Sequence, residues 1–289
     1  RPLRPRDIES LRQRFKQRPI FQRPCAHRAA DLLAEAGQAQ VRGETDLRLE
    51  ALRSLCAIEP DQPEHRLLLA QAEAQAGQHD AAAATLAAVS REPDLTDTLL
   101  AIVDERLSDL ALARGDLPVA MAYIDRAMTR AVSESQLRQL QIKRVGAADP
   151  ALAPRLLSYF DPFEPNPEHP SEAVLRLYAA QQIASLPRYA PLGGYLVGRQ
   201  LLNVHQGTAA IEPLQRSLHP EDGDTPLQTP ELLRGARMML LEAQVRARNY
   251  EAATRVLSEL QADPLADSGQ RLDLALWADR LAFLRGYMP

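Results

Sequence analysis

Aromatic residues and lysine are both scarce in this chain of 289 residues. Phe, Trp and Tyr together make up 4% of it, and Lys16 and Lys143 are its only lysines. Apolar runs long enough to cross a bilayer are also missing, so the sequence predicts no membrane-spanning helix. Strand-forming residues are few, whereas Ala and Leu dominate. Small side chains of this kind let helices approach closely, and the sequence therefore predicts an all-α protein.

Motifs for catalysis and metal binding are missing as well. The sequence contains no HExxH zinc motif, no GxSxG nucleophile elbow and no phosphate-binding glycine loop followed by Lys. The acidic stretch "EDGD" at 221–224 has the wrong order for a calcium-binding EF-hand loop. The histidines are scattered without the i, i+4 pairing of a zinc site: His27, His65, His79, His169, His205 and His219. We therefore expect no metal, no cofactor and no enzymatic activity.

Helical segments occur in pairs, and a glycine lies between the two members of each of the first three pairs. Gly43 and Gly77 are 34 residues apart, and Gly115 follows 38 residues later. Glycine supports the positive φ angle that ends the first helix of a pair, whereas Pro60 and Pro93 stop the second helix. The sequence therefore predicts a series of antiparallel helical hairpins.

Small and bulky residues recur at constant distances after these glycines. A small residue comes five positions on, a bulky one nine positions on, and another small or apolar one twelve positions on. A Leu-small pair also precedes two of the glycines, at Leu69-Ala70 and Leu107-Ser108. The residues at the three positions are Arg48, Leu52 and Leu55 after Gly43, Ala82, Leu86 and Val89 after Gly77, and Ala120, Ile124 and Ala127 after Gly115.

This pattern resembles the tetratricopeptide repeat (TPR) family, with Arg48 as a departure where the family has Ala. The resemblance covers roughly residues 26–130 and 190–286. In the later block, Ala253, Leu257 and Leu260 follow the pattern, whereas Ala210, Ile211 and Leu214 follow a Gly207 that lies two residues late. The resemblance implies a right-handed α-solenoid of about fourteen helices, in which stacked hairpins form a curved array.

The two blocks are separated by a proline-rich segment, "DPFEPNPEHP" at 161–170. Four prolines in ten residues exclude a helix and predict an extended connector. We therefore predict an N-terminal TPR-like array at 26–160 and a C-terminal one at 171–289. The stretch "GGYLVG" at 193–198 follows no strand and is interpreted as a helix entrance with close packing. In the last helix, Trp277, Leu281 and Leu284 are predicted core residues.

The charge of the chain is divided unevenly. The net formal charge is −4, but residues 1–25 carry eight Arg or Lys against two acidic residues, which leaves −10 on the remainder. An acidic body argues against nucleic-acid binding, which needs clustered cations. Residues 1–25 are predicted to be a basic arm with a short amphipathic helix, whose Ile8, Leu11 and Phe15 pack on the first hairpin. The alternative is a helix that lies near a membrane or binds a partner.

Cysteine occurs twice, as Cys25 and Cys56. The first lies where the first predicted helix begins and the second near the end of its antiparallel partner, so the two ends are neighbours in a hairpin. A disulfide between them would stabilise the fold by roughly 3 kcal/mol and would place the chain in an oxidising compartment. Two reduced thiols in a cytosolic protein are the alternative. We favour the periplasm or cell envelope over the cytoplasm.

The two ends of the sequence resemble cut points. The chain begins with Arg rather than Met, and "RGYMP" at 285–289 echoes the turn "RGDLP" at 114–118. We expect either that a leader has been removed or that the sequence is a piece of a longer protein. The last helix then either caps the array or opens a further hairpin.

The TPR resemblance implies a non-catalytic scaffold that binds a protein or peptide in a concave groove lined by the first helix of each hairpin. Its mixed, partly acidic residues predict a bound segment with some positive charge. The excess of Arg over Lys favours a bacterial source, and arrays of this type serve as adaptors in cell-envelope or export assemblies. The predicted groove residues are Gln71, Gln75, Glu105, Asp109, Tyr195, Arg199, Asn203, Met238, Glu242 and Arg246.

Two other functions remain open at this stage. The chain could be the docking or regulatory domain of a larger membrane-anchored protein or enzyme whose catalytic part lies elsewhere. It could also be a helical enzyme that uses a buried carboxylate pair, for which only Glu105 with Asp109 has the required spacing.

Overall fold

The computed structural model describes residues 22–93, 95–161 and 172–287, without the side chains of residues 22–27 and 287. These ranges contain fourteen helices and no strand, which confirms the predicted all-α class. Residues 1–21 and 162–171 lie outside them, so the basic arm and the proline-rich connector stay predictions. The side chain of Cys25 also lies outside the described part, and the proposed disulfide with Cys56 stays untested.

The chain forms two compact units, which meet in the sequence between Leu95 and Thr96. Unit 1 contains helices α1 to α4 and unit 2 contains α5 to α14. The helices of unit 1 are α1 (Gln22–Arg42), α2 (Thr45–Ile58), α3 (Pro63–Gln75) and α4 (His79–Val89). Those of unit 2 are α5 (Asp97–Ala113), α6 (Leu117–Arg130), α7 (Glu134–Ala147), α8 (Ala153–Phe160), α9 (Glu172–Ala184), α10 (Ala190–Asn203), α11 (Gly207–Leu218), α12 (Pro230–Arg246), α13 (Tyr250–Gln261) and α14 (Ser268–Tyr287).

This division lies far from the connector at 161–170 that separates the two predicted arrays. Helices α8 and α9, on either side of that connector, pack against each other within unit 2. Leu156 and Tyr159 of α8 belong to the same buried cluster as Ala180 and Ile183 of α9. A shared apolar core holds the two helices together although the chain between them is rich in proline.

Five hairpins share one type of turn. The first or second residue after the first helix has a positive φ angle, between 62° and 74°, at Gly43, Gly77, Gly115, His205 and Arg248. The backbone N–H of the next residue donates to a carbonyl five residues earlier at 2.8–2.9 Å, for example from Gln78 to Glu73 and from Gln206 to Leu201. This bonding is a Schellman motif, which satisfies the free carbonyl groups at a helix end. The three predicted turn glycines are confirmed, and two later turns form at positions where the sequence has no glycine.

Buried residues recur at the same distances after each of these five turn residues, and we call this spacing the burial register. The predicted distances of five, nine and twelve residues therefore hold in the second half as well, once His205 and Arg248 are taken as the origins. Ile211 falls off this register and is only half-buried. The register residues are exposed by 5% or less: Arg48, Leu52 and Leu55; Ala82, Leu86 and Val89; Ala120, Ile124 and Ala127; Ala210, Leu214 and Ser217; Ala253, Leu257 and Leu260.

Helix α10 is buried on almost every side because its glycines admit two neighbouring helices. A Cβ atom at Gly193 would overlap the backbone of Ala184 in α9. At Gly194 it would overlap the carbonyl oxygen of Pro213 in α11, and at Gly198 the side chain of Leu214. The interpretation of "GGYLVG" as a site of close packing is thus confirmed, although its residues lie inside α10.

Helix packing in unit 2 is not restricted to neighbours along the chain. Besides the consecutive pairs, α5 contacts α8, and α12 contacts both α7 and α10. Gln141 of α7 donates to Glu231 of α12 at 3.0 Å and accepts from the Thr229 hydroxyl, the N-cap of α12, at 2.7 Å. A regular repeat array has contacts between neighbouring repeats only. The α7–α12 contact therefore brings distant parts of unit 2 around a shared interior.

The last helix packs as predicted. Leu281 is 3% exposed, and Trp277 and Leu284 are partly buried against the same core. Over the ranges that the structure describes, none of the helices combines the length and the apolar character needed to cross a bilayer.

Candidate binding pocket in unit 2

A cavity of about 290 Å³ lies between four helices of unit 2. We call it the inter-helix pocket. Helices α7, α10, α12 and α14 provide most of its lining, with contributions from α13 and the segment after it. Three of the predicted groove residues, Tyr195, Arg199 and Met238, line it together. The lining residues are Glu134, Ser135, Arg138, Tyr195, Arg199, Arg234, Gly235, Met238, Met239, Leu260, Ala266, Gln270, Asp273 and Leu274.

Glu134 is the centre of a polar network on one side of this pocket. Its carboxylate lies 2.8 Å from Arg138 one turn away and 3.7 Å from Arg234 of α12. Gln270 of α14 donates to it at 2.8 Å. Arg234, which is buried, is also held by Asp263 at 3.0 Å. The network joins α7, α12 and α14, and thereby fixes the width of the pocket on that side.

Tyr195 and Gly235 form the close contact between α10 and α12. A Cβ atom at Gly235 would lie 2.8 Å from Arg138 Cδ and 3.1 Å from the Tyr195 hydroxyl oxygen, so glycine leaves room for these two side chains against α12. Tyr195 is 3% exposed, and burial raises the pKa of its hydroxyl even though the neighbouring Arg138 and Arg199 lower it. The tyrosine is therefore neutral at physiological pH, with its hydroxyl close to Arg138.

Arg199 differs from the other two arginines of the pocket. It is half-buried one turn after Tyr195, and its positive charge acts on the hydroxyls of both Tyr159 and Tyr195. Arg138 and Arg234 each have a carboxylate partner, whereas no carboxylate in the described part of the chain lies within ion-pair distance of Arg199. Among the described residues, the pocket thus contains one cation, Arg199, that no carboxylate of the chain neutralises.

Glu105 and Asp109 do not face an open groove as predicted but bind the buried side chain of Lys143. Lys143 Nζ lies 2.7 and 2.8 Å from the two Asp109 oxygens and 2.8 Å from Glu105 Oε1. Burial opposes the charge of Lys143, but the two carboxylates raise its pKa. Burial raises the pKa of Asp109. At Glu105, burial is opposed by the charge and hydrogen bond of Lys143 together with Gln139 and Arg106, and the combined effect lowers the pKa. The carboxylates of Glu105 and Asp109 thus join α5 to α7 through Lys143, and both bind this internal cation.

The remaining groove candidates of unit 2 lie at the far end of α10 and α12. Arg246 binds Glu242 at 2.5 Å and donates to the Leu202 carbonyl at 2.9 Å, so these side chains tie α12 to α10. Asn203 is exposed. None of the three lines the inter-helix pocket.

Gln71 and Gln75 belong to α3 of unit 1 and are half-buried. Arg48 of α2 donates to the Gln75 side chain. The arginine that departs from the TPR-like pattern is thus accommodated by a polar partner on the adjacent helix.

A second depression adjoins the pocket and shares Glu134, Arg234 and Gln270 with it. It lies between the start of α7, the start of α12 and the segment before α14. Glu231 and Asp267 make it acidic, and the largely exposed Val132 and Leu265 add apolar surface. Its chemistry is therefore opposite in sign to that around Arg199.

Metal ligands do not come together in the part of the chain that the structure describes, where no group of three His, Cys, Asp or Glu side chains could hold an ion. Asp224 of the "EDGD" stretch instead accepts from Arg216 at 3.0 Å and from the Glu221 backbone N–H at 2.9 Å. The stretch forms a turn closed by its own groups.

Sequence reasoning missed most of the residues around the pocket. The residue spacings give no indication of a site at Glu134, Arg138, Arg234 or Gln270. Their contacts join residues as far as 136 positions apart, and no local spacing reports such a contact.

Comparison with known proteins adds no identification. No protein-family model matches the chain, and no curated protein matches it. The resemblance to TPR proteins therefore rests on the residue spacings.

Proposed function

We propose that this chain is a non-catalytic protein-interaction module that binds a segment of a partner protein in the inter-helix pocket of unit 2. In this proposal its hairpins belong to a right-handed, TPR-like α-solenoid. The five equivalent turns and the constant burial register support the second part. A bacterial cell-envelope assembly is the setting that we propose, on composition and resemblance alone.

The observation that carries the binding proposal is that Tyr195, Arg199 and Met238 line one cavity. The repeat pattern predicts that all three face inward, and they come from two different helices. Ligand pockets are concave, mainly apolar and contain a few convergent polar groups. The inter-helix pocket is concave and combines the apolar side chains of Met238, Met239, Leu260 and Leu274 with polar groups that include Arg199.

A peptide-display selection tests this proposal. The complete chain is immobilised, a random peptide library is selected on it, and enriched peptides are titrated against three proteins: the wild type, the double variant Met238→Gln/Met239→Gln, and Met121→Gln. Met121 is half-buried in α6 and lines neither cavity, so it controls for the loss of a thioether.

We expect the pocket variant to weaken binding by about tenfold or more, because a few central side chains dominate the affinity of an interface. The Met121→Gln variant should bind like the wild type. Equal binding by the pocket variant, or no enriched peptide at all, would contradict the proposal.

A further inference from the structure

We infer that the inter-helix pocket binds a large apolar side chain that has a carboxylate next to it. Partner segments with Leu, Met or Phe beside Asp or Glu should therefore be preferred. This inference rests on the proposed function, since it names the chemistry of the ligand at the same site.

The charges around the pocket leave Arg199 as the group that can recognise a ligand. Arg138 is paired with Glu134, and Arg234 with Asp263. Arg199 has no such partner among the described residues, and its charge acts on the hydroxyls of the buried Tyr159 and Tyr195. A half-buried charge next to apolar groups interacts more strongly with an opposite charge than one in bulk water does. The planar guanidinium group also matches a carboxylate in shape.

The apolar residues of the lining determine which type of ligand side chain enters the pocket beside the carboxylate. Met238 and Met239 lie on α12, Leu260 on α13 and Leu274 on α14, and all four line the pocket together with Arg199. Methionine adapts to different apolar shapes, which suits recognition of Leu, Met or Phe alike. The volume of about 290 Å³ lies at the lower end of ligand pockets, about 300–1,000 Å³. It accommodates one anchoring residue and its neighbour rather than a long segment.

The acidic groups of the pocket do not oppose a carboxylate at Arg199. Glu134 is neutralised by Arg138 and is also bonded to Gln270. Asp273 is exposed on α14, where water screens its charge. The carboxylates behind the expectation of a basic ligand, Glu105, Asp109 and Glu242, are all bound to cations of the protein itself. The preference for a positively charged segment is therefore replaced by a preference for a negative one.

Three pools of biotinylated peptides test the inference by biolayer interferometry on the complete chain. Each pool has uncharged random positions around a fixed pair. The pair is an apolar residue followed by Glu in the first pool, an apolar residue followed by Lys in the second, and Ser followed by Glu in the third. We expect the first pool to bind about tenfold more tightly than either of the others.

Single substitutions locate the recognition. Arg199→Gln should reduce binding of the apolar-Glu pool about tenfold, whereas Arg199→Lys should retain part of it because the charge is kept. Arg255→Gln is the matched control, since Arg255 is exposed on α13 and does not line the pocket. Asp273→Asn removes a negative charge from the pocket lining and should therefore improve binding of the apolar-Glu pool. Circular dichroism establishes that each variant is folded.

Methionine methyl NMR separates this inference from the proposed function. The methyl signals of Met238 and Met239 should shift on titration with the apolar-Glu pool, and that of Met121 should not. If the apolar-Lys pool binds equally well and shifts the same signals, peptide binding stands and the carboxylate preference is overturned. Unchanged binding by Arg199→Gln, or weaker binding by Asp273→Asn, also overturns the inference. If no pool shifts these signals, the proposed function fails with it.

Discussion

Lys143 is the residue on which the polar interior of unit 2 depends most. Its side chain is 2% exposed, and its ammonium group is held by Asp109 and Glu105 and lies 5.0 Å from the centre of the Phe160 ring. Burying a charge is costly, so a buried ion pair contributes little net stability while both partners are present. Removing one partner leaves the other charge buried without compensation.

We expect Lys143→Met to destabilise unit 2 by about 3–5 kcal/mol at neutral pH. Of the cations around the two carboxylates, only Arg106 would remain, 3.9 Å from Asp109, and burial with so little compensation raises their pKa in the folded protein above that in the unfolded chain. Groups with such a shift destabilise the fold as pH rises and are harmless when protonated. The loss should therefore shrink as the pH is lowered from 7 to 4, as measured by urea unfolding.

The matched control is the triple variant Lys143→Met/Glu105→Gln/Asp109→Asn, whose stability loss relative to the wild type should not shrink on acidification. An equal loss at pH 7 and pH 4 for the single variant would show that packing rather than charge accounts for it.

Arg48 is another buried polar residue whose side chain has a partner on a neighbouring helix. It stands where the TPR-like pattern has Ala and is 5% exposed, yet its guanidinium reaches Gln75 of the next helix. A buried polar group is tolerated when it is hydrogen-bonded. The first hairpin therefore has the same turn and helix packing as the others, with Arg instead of Ala at this buried position.

Among structural elements, the hairpin turn is the feature that repeats most faithfully. Its backbone geometry is the same at Gly77 and at His205, although only glycine adopts a positive φ angle without strain. The geometry is retained because the Schellman hydrogen bonds and the packing of the following helix require it. His205 and Arg248 are therefore strained positions in an otherwise favourable motif.

Replacing Arg248 with Gly should stabilise the protein by about 0.5–1 kcal/mol, because relief of the left-handed strain exceeds the entropy cost of glycine. Arg255→Gly, in the helix that follows the same turn, should instead destabilise it by about 1 kcal/mol. Both arginines are exposed, so the lost side chain contributes little in either case. Thermal unfolding of the two variants measures the difference; a lower melting temperature for Arg248→Gly would contradict the strain argument.

Taken as a whole, the described chain has separate buried clusters in its two units. Leu52 and Leu55 belong to a cluster confined to unit 1, whereas Leu214 and Leu257 belong to the largest cluster of unit 2. No buried residue in the described ranges belongs to both. Separate cores predict that each unit can open without the other.

Leu214→Ala should therefore destabilise unit 2 alone, by about 2–5 kcal/mol, because it leaves a cavity where Leu214 packs against Gly198. Hydrogen exchange should accelerate in α10 to α13 and stay unchanged in α2 and α3. Leu52→Ala is the converse control and should accelerate exchange in unit 1 only. Faster exchange in both units of either variant would indicate a single cooperative fold.

The local structure of this protein could be predicted from its sequence. The helix class, the turns at Gly43, Gly77 and Gly115, and the buried positions that follow them all appear in the one-dimensional pattern. They do so because a Schellman turn and the helix packing next to it are built from groups within about a dozen residues of one another. The turns at His205 and Arg248 could not be predicted because they lack the glycine that indicates a positive φ angle.

The inter-helix pocket depends on the tertiary structure. Met238, Arg199 and Tyr195 could be placed on inner helix faces, but Glu134, Arg234 and Gln270 could not. Their meeting depends on contacts between helices that are far apart in the sequence, such as α7 with α12. The fold likewise brings Lys143 to Glu105 and Asp109 and leaves Arg199 without a partner carboxylate among the described residues. The charge that a ligand meets is thus set by long-range packing, which no local spacing encodes.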